Sequence, residues 1–231
     1  MTVTWDLLLP TLPHRHAQLC ALLAEIDRQW QPGLGMLLYR DNLQRPGNAS
    51  YGKWQDLQEA SKADYTSFIG DDDFIAPDYV AKVMAALEEK PDYVGYKIRY
   101  TRDGHQMMPV EHSLRHGDWW NTAEMLYRDI GIHNPIRREL ALLATWATDH
   151  QSADVTWARD LRATGRVKTE VWIPEELYWY QETTGGQTLA SWSLWGGGTP
   201  QPMPAAEILP VPEYPWLTVR DEALPQRSTD R

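Results

Sequence analysis

The stretch YTSFIGDDDFIAPDYV, residues 65–80, sets Asp71, Asp72 and Asp73 in a row between an apolar run and a helix start. Adjacent carboxylates raise one another's pKa and cost stability unless a cation or solvent relieves them. One reading is a wet acidic turn that also favours the N-terminus of the following helix. The other is a seat for a cation. Carboxylates suit hard ions such as Mg2+ and Mn2+, and Mg2+ commonly binds through one or two carboxylates plus substrate phosphates. The flanking elements show what kind of fold carries the triplet.

Residues 65–69 read as a buried strand. Beyond the triplet, Pro77 suits the first turn of a helix whose Val80, Val83, Met84 and Leu87 share one apolar face. Pro91 closes that helix, and residues 93–100 read as another strand. Upstream, residues 5–9 form a short apolar run ended by Pro10. Residues 15–30 carry Leu19, Leu22, Leu23, Ile26 and Trp30 at helical spacing, and Pro32-Gly33 stops them. Residues 35–39 are a second buried strand and residues 40–50 a polar loop. Trp54, Leu57 and Ala60 then mark a helix. This alternation predicts an α/β fold, a mostly parallel sheet covered by helices. Ligands of such sheets bind outside the carboxyl ends of the strands, and the triplet stands at one such end.

Downstream the pattern loosens. A hairpin turn is expected at Arg102-Asp103-Gly104, followed by the polar-aromatic stretch RHGDWWNTAE, residues 115–124. Ile136, Leu140 and Leu143 predict a helix over residues 135–147. Ser152 is an N-cap for a helix carrying Val155, Ala158 and Leu161, which places Asp154 in its first turn. Residues 167–173 read as a strand. From Thr183 onward Gly and Pro accumulate and periodicity disappears. Residues 183–231 are therefore expected to be an extended tail, with Trp192, Trp195 and Trp216 as anchors. Residues 1–182 are expected to form the main domain, its halves meeting near residue 100.

The bulk numbers narrow the class. The chain has 231 residues, 42% hydrophobic and 23% charged, the balance of an ordinary soluble globular protein. A formal charge of -10 argues against a broad nucleic-acid surface, which needs a basic face. The single Cys20 excludes an intramolecular disulfide. The opening MTVTWDLLLPTLPHRH has no basic region and no apolar core of the length needed for export or membrane spanning, so a cytoplasmic location is expected. The 12 Trp and 11 Tyr, against 2 Phe, suit partly open surfaces such as sugar platforms as well as cores.

Three segments taken in order add a resemblance: LLLPTLPHR (7–15), YGKWQDLQEASKADYTSFIGDDDFIAPDYV (51–80) and SADVTWARDLRATG (152–165). Across residues 3–179 the chain resembles the GT-A glycosyltransferases, particularly the family-2-like members. That resemblance implies the Rossmann-like GT-A fold and a metal-dependent transfer of sugar from a nucleotide-diphosphate sugar, a UDP-sugar foremost, to an acceptor hydroxyl. It places Thr11, Arg15, Asp41 and Lys53 at the nucleotide and its phosphates. Asp71 would contact the ribose or a coordinating water, and Asp72 with Asp73 the Mn2+ or Mg2+. Asp154 would be the catalytic base, with Asp149 as the alternative. In this mechanism the metal neutralises charge on the departing diphosphate. A carboxylate on the opposite face of the sugar deprotonates the acceptor, giving inversion. The chain departs from the family pattern at Gly70, where many members have the first Asp, and at Ala153, where an acid precedes the base. His133 or His150 is a candidate third metal ligand, Trp119 and Trp120 are candidates for stacking on the acceptor, and Arg137 and Arg138 for phosphate or for plain surface roles. The acceptor is left open among a glycan, a small molecule and a hydroxylated DNA base, as is assembly into a homo-oligomer. The alternatives are a phage-type DNA-base glycosyltransferase, a non-catalytic nucleotide-sugar or carbohydrate-binding module, and a nucleotidyltransferase.

Overall fold

The computed structural model describes residues 2–11, 15–40, 49–146, 153–182 and 210–220. Three parallel strands form the heart of its single mixed sheet: β1 (Trp5–Thr11), β2 (Leu34–Arg40) and β3 (Tyr65–Phe68), in the spatial order β2-β1-β3. They are near-continuous apolar runs because both faces are covered. Leu7, Leu9, Met36 and Leu38 face one core, shared with α1 (His16–Gln29) and α3 (Tyr79–Leu87). Leu8, Leu37, Tyr39 and Phe68 face the other, shared with α2 (Ala49–Ala60) and α5 (Ala153–Ala163). The chain thus leaves β1 onto one face and leaves β2 onto the opposite face. Their adjacent carboxyl ends bound the crevice where sheets of this type take ligands.

Beyond β3 the sheet becomes mixed. β10 (Ile136–Arg137) lies antiparallel between β3 and β5 (Tyr93–Arg102). β5 turns sharply into β6 (His105–Gln106), with Asp103 and Gly104 both at positive φ, 49 and 79°. A two-residue hairpin turn of this handedness matches the strand twist and favours Asp-Gly. β7 (Val110–His112), β9 (Leu126–Arg128) and β8 (Trp120–Asn121) extend that side as short strands. β11 (Glu170–Glu182) runs parallel to β5 and also holds β4 (Phe74–Ile75), the short strand after the acidic triplet.

Four expectations change. The helix over residues 135–147 is replaced by β10 and one turn, α4 (Arg138–Ala141). Ile136, the residue that began the helical spacing, pairs with Thr66 and Tyr93, partners no local pattern reveals. The strand expected at 167–173 starts at Glu170 and continues to Glu182, past the exposed Pro174, with register shifts between Ile173 and Tyr178. A proline is tolerated at such a bulge, where no ladder hydrogen bond is asked of it. Pro77 lies outside α3, one residue before its N-cap Asp78. Finally, within residues 183–231, β12 (Leu217–Arg220) adds a parallel strand to β2. Trp216 anchors it, 7% exposed, stacked on Tyr214 and donating to Asp27 Oδ1 at 3.1 Å. Trp192 and Trp195 lie outside the described residues. Among the described residues no helix is long and apolar enough to cross a membrane.

Candidate functional site

At the end of β3 the three acids go to three different environments. Asp71 is 2% exposed; it accepts from Thr11 Oγ1 at 2.5 Å and from Arg15 Nη1 at 2.8 Å. Thr11 is the last residue of β1 and Arg15 immediately precedes α1, so the triplet is bound to the neighbouring strand's carboxyl end. Asp73 is 3% exposed and faces the other way, accepting from the Tyr178 hydroxyl at 2.6 Å and the Gln181 backbone N–H at 2.8 Å. Burial, reinforced by the charge of Asp72, pushes its pKa up to about 7. Asp72 is the one with open surface: its side chain is 27% exposed and lies 3.0 Å from Arg15 Nη1. Burial raises its pKa; Arg15 opposes that shift and Asp71 adds to it. A carboxylate still short of positive charge beside its arginine suits a further cation.

The two departures from the family pattern have local causes. A Cβ on Gly70 would lie 2.5 Å from Asp73 Oδ2 and 3.2 Å from Asp72 Oδ1, so the space a side chain needs is taken by the folded-back carboxylates. Ala153 is fully buried in the core beneath α5, where an acid would be costly.

Of the other expected residues, Lys53 is buried on α2 and places Nζ over the Tyr39 ring at 5.6 Å, at the carboxyl end of β2. Asp154 is half-buried in the first turn of α5. Burial raises its pKa against hydrogen bonds from the Val155 N–H and its own. One turn on, Trp157 stacks flat on Trp146 at 4.9 Å. Trp146 in turn meets Phe68, the last residue of β3, edge-on at 5.4 Å. That aromatic chain ties the start of α5 to the acidic loop. Asp41, Asp149, His150 and Ser152 lie outside the described residues. Arg137 and Arg138 are placed at the amino ends of β3 and β5, donating to the carbonyls of Lys90 and Glu59, away from the triplet. Trp119 lies beside His112, and Trp120 is 45% exposed on the far edge, stacked on Tyr127.

Tyr178 and Gln181, which hold the triplet's back, were not anticipated. Their signal is the strand-like run LYWYQ, residues 177–181, placed opposite the loop only by the pairing of β11 with β4. His133 was a candidate third metal ligand, with a structural role as the alternative. It stacks on Tyr178 at 4.5 Å and donates from Nδ1 to the Phe68 carbonyl at 3.1 Å, which leaves Nε2 without the proton. Burial lowers its pKa to about 4, so it is neutral near pH 7.

Each oxygen of Asp71 and Asp73 accepts from one of the chain's own donors, so Asp73, expected beside Asp72 at a metal, also anchors the loop. Among the described residues no group of three or more His, Cys, Asp and Glu could hold a metal. An ion here would rest on Asp72 and be completed by substrate oxygens, as Mg2+ often is.

No protein-family model and no curated protein matches the sequence. Solved structures do. A crystal structure of S. aureus TarS 1-349 in complex with UDP-GlcNAc superposes with a TM-score of 0.61 at 11% identity, covering 79% of this chain and 60% of that one. TarS 1-349 in complex with UDP gives 0.59 at 11%, covering 78% and 60%, and a further S. aureus TarS structure gives 0.59 at 10%, covering 78% and 37%. The chain thus spans at most 60% of the length of these three structures. Over about four-fifths of its length the chain shares the α/β fold of these structures, the GT-A fold.

Proposed function

We propose that the chain is a metal-dependent glycosyltransferase that moves a sugar from a nucleotide-diphosphate sugar, a UDP-sugar foremost, to an acceptor hydroxyl with inversion. The observation that carries this reading is the division of labour in the triplet. Thr11 and Arg15 hold Asp71, Tyr178 and Gln181 hold Asp73, and Asp72, touched by Arg15, keeps open surface at the carboxyl end of β3. The UDP-GlcNAc and UDP held by the TarS structures support the donor class.

Asp72 would hold the Mn2+ or Mg2+, whose chemistry is to neutralise charge gathering on the departing diphosphate. Arg15, already bridging Asp71 and Asp72, would pair with a phosphate oxygen. Thr11 fixes Asp71 at the ribose side, and Lys53 supplies positive charge at the end of β2. Asp154 takes the acceptor proton as the acceptor oxygen bonds to the anomeric carbon and the bond to the diphosphate breaks. Its burial makes it a stronger base than an exposed aspartate.

The test is thermal stability with UDP, GDP, dTDP and CDP, each with Mn2+ and with EDTA. A ligand at a hundred times its Kd stabilises the folded state by about 2.7 kcal/mol. One diphosphate should raise the melting temperature, and EDTA or Asp72→Asn should remove the shift. No shift with any of the four rejects the reading. A shift without sugar transfer would leave a nucleotide-sugar-binding module.

A further inference from the structure

The acidic loop is a tight turn. The Asp73 N–H closes back on the Gly70 carbonyl at 3.2 Å, with Asp71 and Asp72 at the two corners. The corner carbonyls take no part in that closing bond, so their directions are set by whatever else they meet. β11 grips the turn from both of its faces. Tyr178 lies in the core shared with α1 and α3, where its hydroxyl accepts from the Gly70 N–H at 2.9 Å and donates to Asp73 Oδ2 at 2.6 Å. Gln181, three residues on, projects from the opposite face by strand alternation. Its Nε2 donates to the Asp72 carbonyl at 2.9 Å, and its backbone N–H to Asp73 Oδ1 at 2.8 Å.

Gln181 is itself well fixed. It pairs with Thr101 of β5, and the next residue, Glu182, accepts from the Asp103 N–H at 2.8 Å and from Arg102 Nε at 2.9 Å. The β5–β6 hairpin thereby holds the strand end from which the carboxamide reaches the loop. With both ends of the turn pinned, a carbonyl held in one direction fixes the ψ angle of its own residue. The line along which the Asp72 side chain leaves the backbone is fixed with it. Arg15 Nη1, 3.0 Å from Asp72 Oδ2, holds the far end of that side chain. We infer that Gln181 is a positioning residue for the divalent ion: it aims the Asp72 carboxylate through the Asp72 carbonyl, and so sets the affinity for Mn2+ or Mg2+ without touching ion or nucleotide. This rests on the glycosyltransferase reading above, with Asp72 as the metal ligand. Partners that orient a ligating group typically account for ten- to hundredfold in metal affinity. The fold depends on the carboxamide far less. The closing bond of the turn, the Tyr178 hydroxyl and the Gln181 backbone N–H all survive its loss, and water can replace the donor at a contact that is only part-buried.

Thermal melting of the full chain across a Mn2+ series tests it without an acceptor, in saturating UDP or whichever of GDP, dTDP and CDP shifts the wild type instead. Gln181→Met keeps length and bulk and removes the donor. The Mn2+ concentration that gives half of the nucleotide-induced shift should rise about tenfold. The plateau at high Mn2+ and the melting temperature without ligand should stay at wild-type values, which a merely structural role would not allow. Thr101→Val, across the ladder from Gln181, should match wild type throughout. If Gln181→Met melts early without ligand, the paramagnetic resonance of unbound Mn2+ is read on Gln181→Leu below its melting temperature, against the same tenfold expectation. An unmoved Mn2+ midpoint overturns the inference and leaves the glycosyltransferase reading standing. A lowered plateau at an unmoved midpoint places the effect on the nucleotide and overturns it too. A wild-type shift that ignores Mn2+ overturns the inference while nucleotide binding stands. No shift with any of the four diphosphates overturns the glycosyltransferase reading, and the inference with it.

Discussion

Along β1 the residues Trp5, Leu7, Leu8 and Leu9 are all fully buried, whereas β8, at the far edge of the same sheet, consists of two exposed residues, Trp120 and Asn121. The parallel strands are covered on both faces, so their apolar character is continuous and their carboxyl ends are held rigidly enough to position side chains. The edge strands are two or three residues long, have one neighbour or two, and are kept in place by polar contacts such as Arg128 Nη1 to Asn121 Oδ1 at 2.7 Å. Rigidity and the candidate chemistry therefore coincide in one half. Catalytic groups need a supporting shell that fixes their rotamers, and only the covered half supplies one.

The largest effect expected from disturbing the covered half without disturbing its core is on turnover. Asp154→Asn should lower sugar transfer by about a hundred- to ten-thousandfold, the range for a lost general base, with nucleotide binding unaltered. Single-turnover assays beside calorimetry would check both halves of that statement. Undiminished transfer would remove Asp154 as the base.

Stability should separate the two regions next. Trp5 is fully buried, meets Tyr79 edge-on at 5.5 Å and donates to Ser67 Oγ at 3.0 Å. Trp5→Ala should cost about 3–5 kcal/mol, the usual range for a large aromatic deleted from a core. Trp120→Ala should cost less than about 1 kcal/mol, since what is lost is its stack on Tyr127 and an edge contact with His116 at an exposed strand. Urea unfolding of both variants gives the difference directly. Similar costs would mean that the far edge is as cooperative with the core as β1 is.

The same contrast explains how far the sequence could be read. β1, α1, β2, α2, β3, α3 and β5 were all visible as runs or periodic faces because each element's burial is dictated by its own residues. The triplet's position at a strand end, and the neighbours Thr11 and Arg15, were legible for the same reason. Ile136 and Leu140 keep helical spacing yet belong to β10 and one turn, because the partners of Ile136 lie some 40 and 70 residues away in sequence. β12 has only four residues in a Gly- and Pro-rich stretch, and its strand character comes from the free edge of β2. The roles of Tyr178 and Gln181 depend on two register shifts in β11, which no local pattern encodes. Gly70 was visible as a departure, but its reason, the carboxylate of Asp73 folded against it, required the three-dimensional arrangement.

The acidic loop joins the two regions, since β11 holds it from behind, and its pH response tests how firmly. Asp73 titrates at about 7 in the folded chain, against about 3.9 when unfolded. The folded state therefore binds this proton more tightly, and stability must fall as pH rises from about 4 to about 7, then level off. The full separation corresponds to at most about 4 kcal/mol. Asp73→Asn keeps the shape and removes the charge, so its stability should vary less with pH across that window than wild type's, and the difference between the two slopes isolates Asp73 from Asp72, Asp129 and Asp154, whose pKa values are also raised. Equal slopes would mean that the Tyr178 hydroxyl and the Gln181 N–H hold a carboxylate as charged as an exposed one. The back of the loop would then carry a permanent negative charge, and Arg15 would have three acids to balance rather than two.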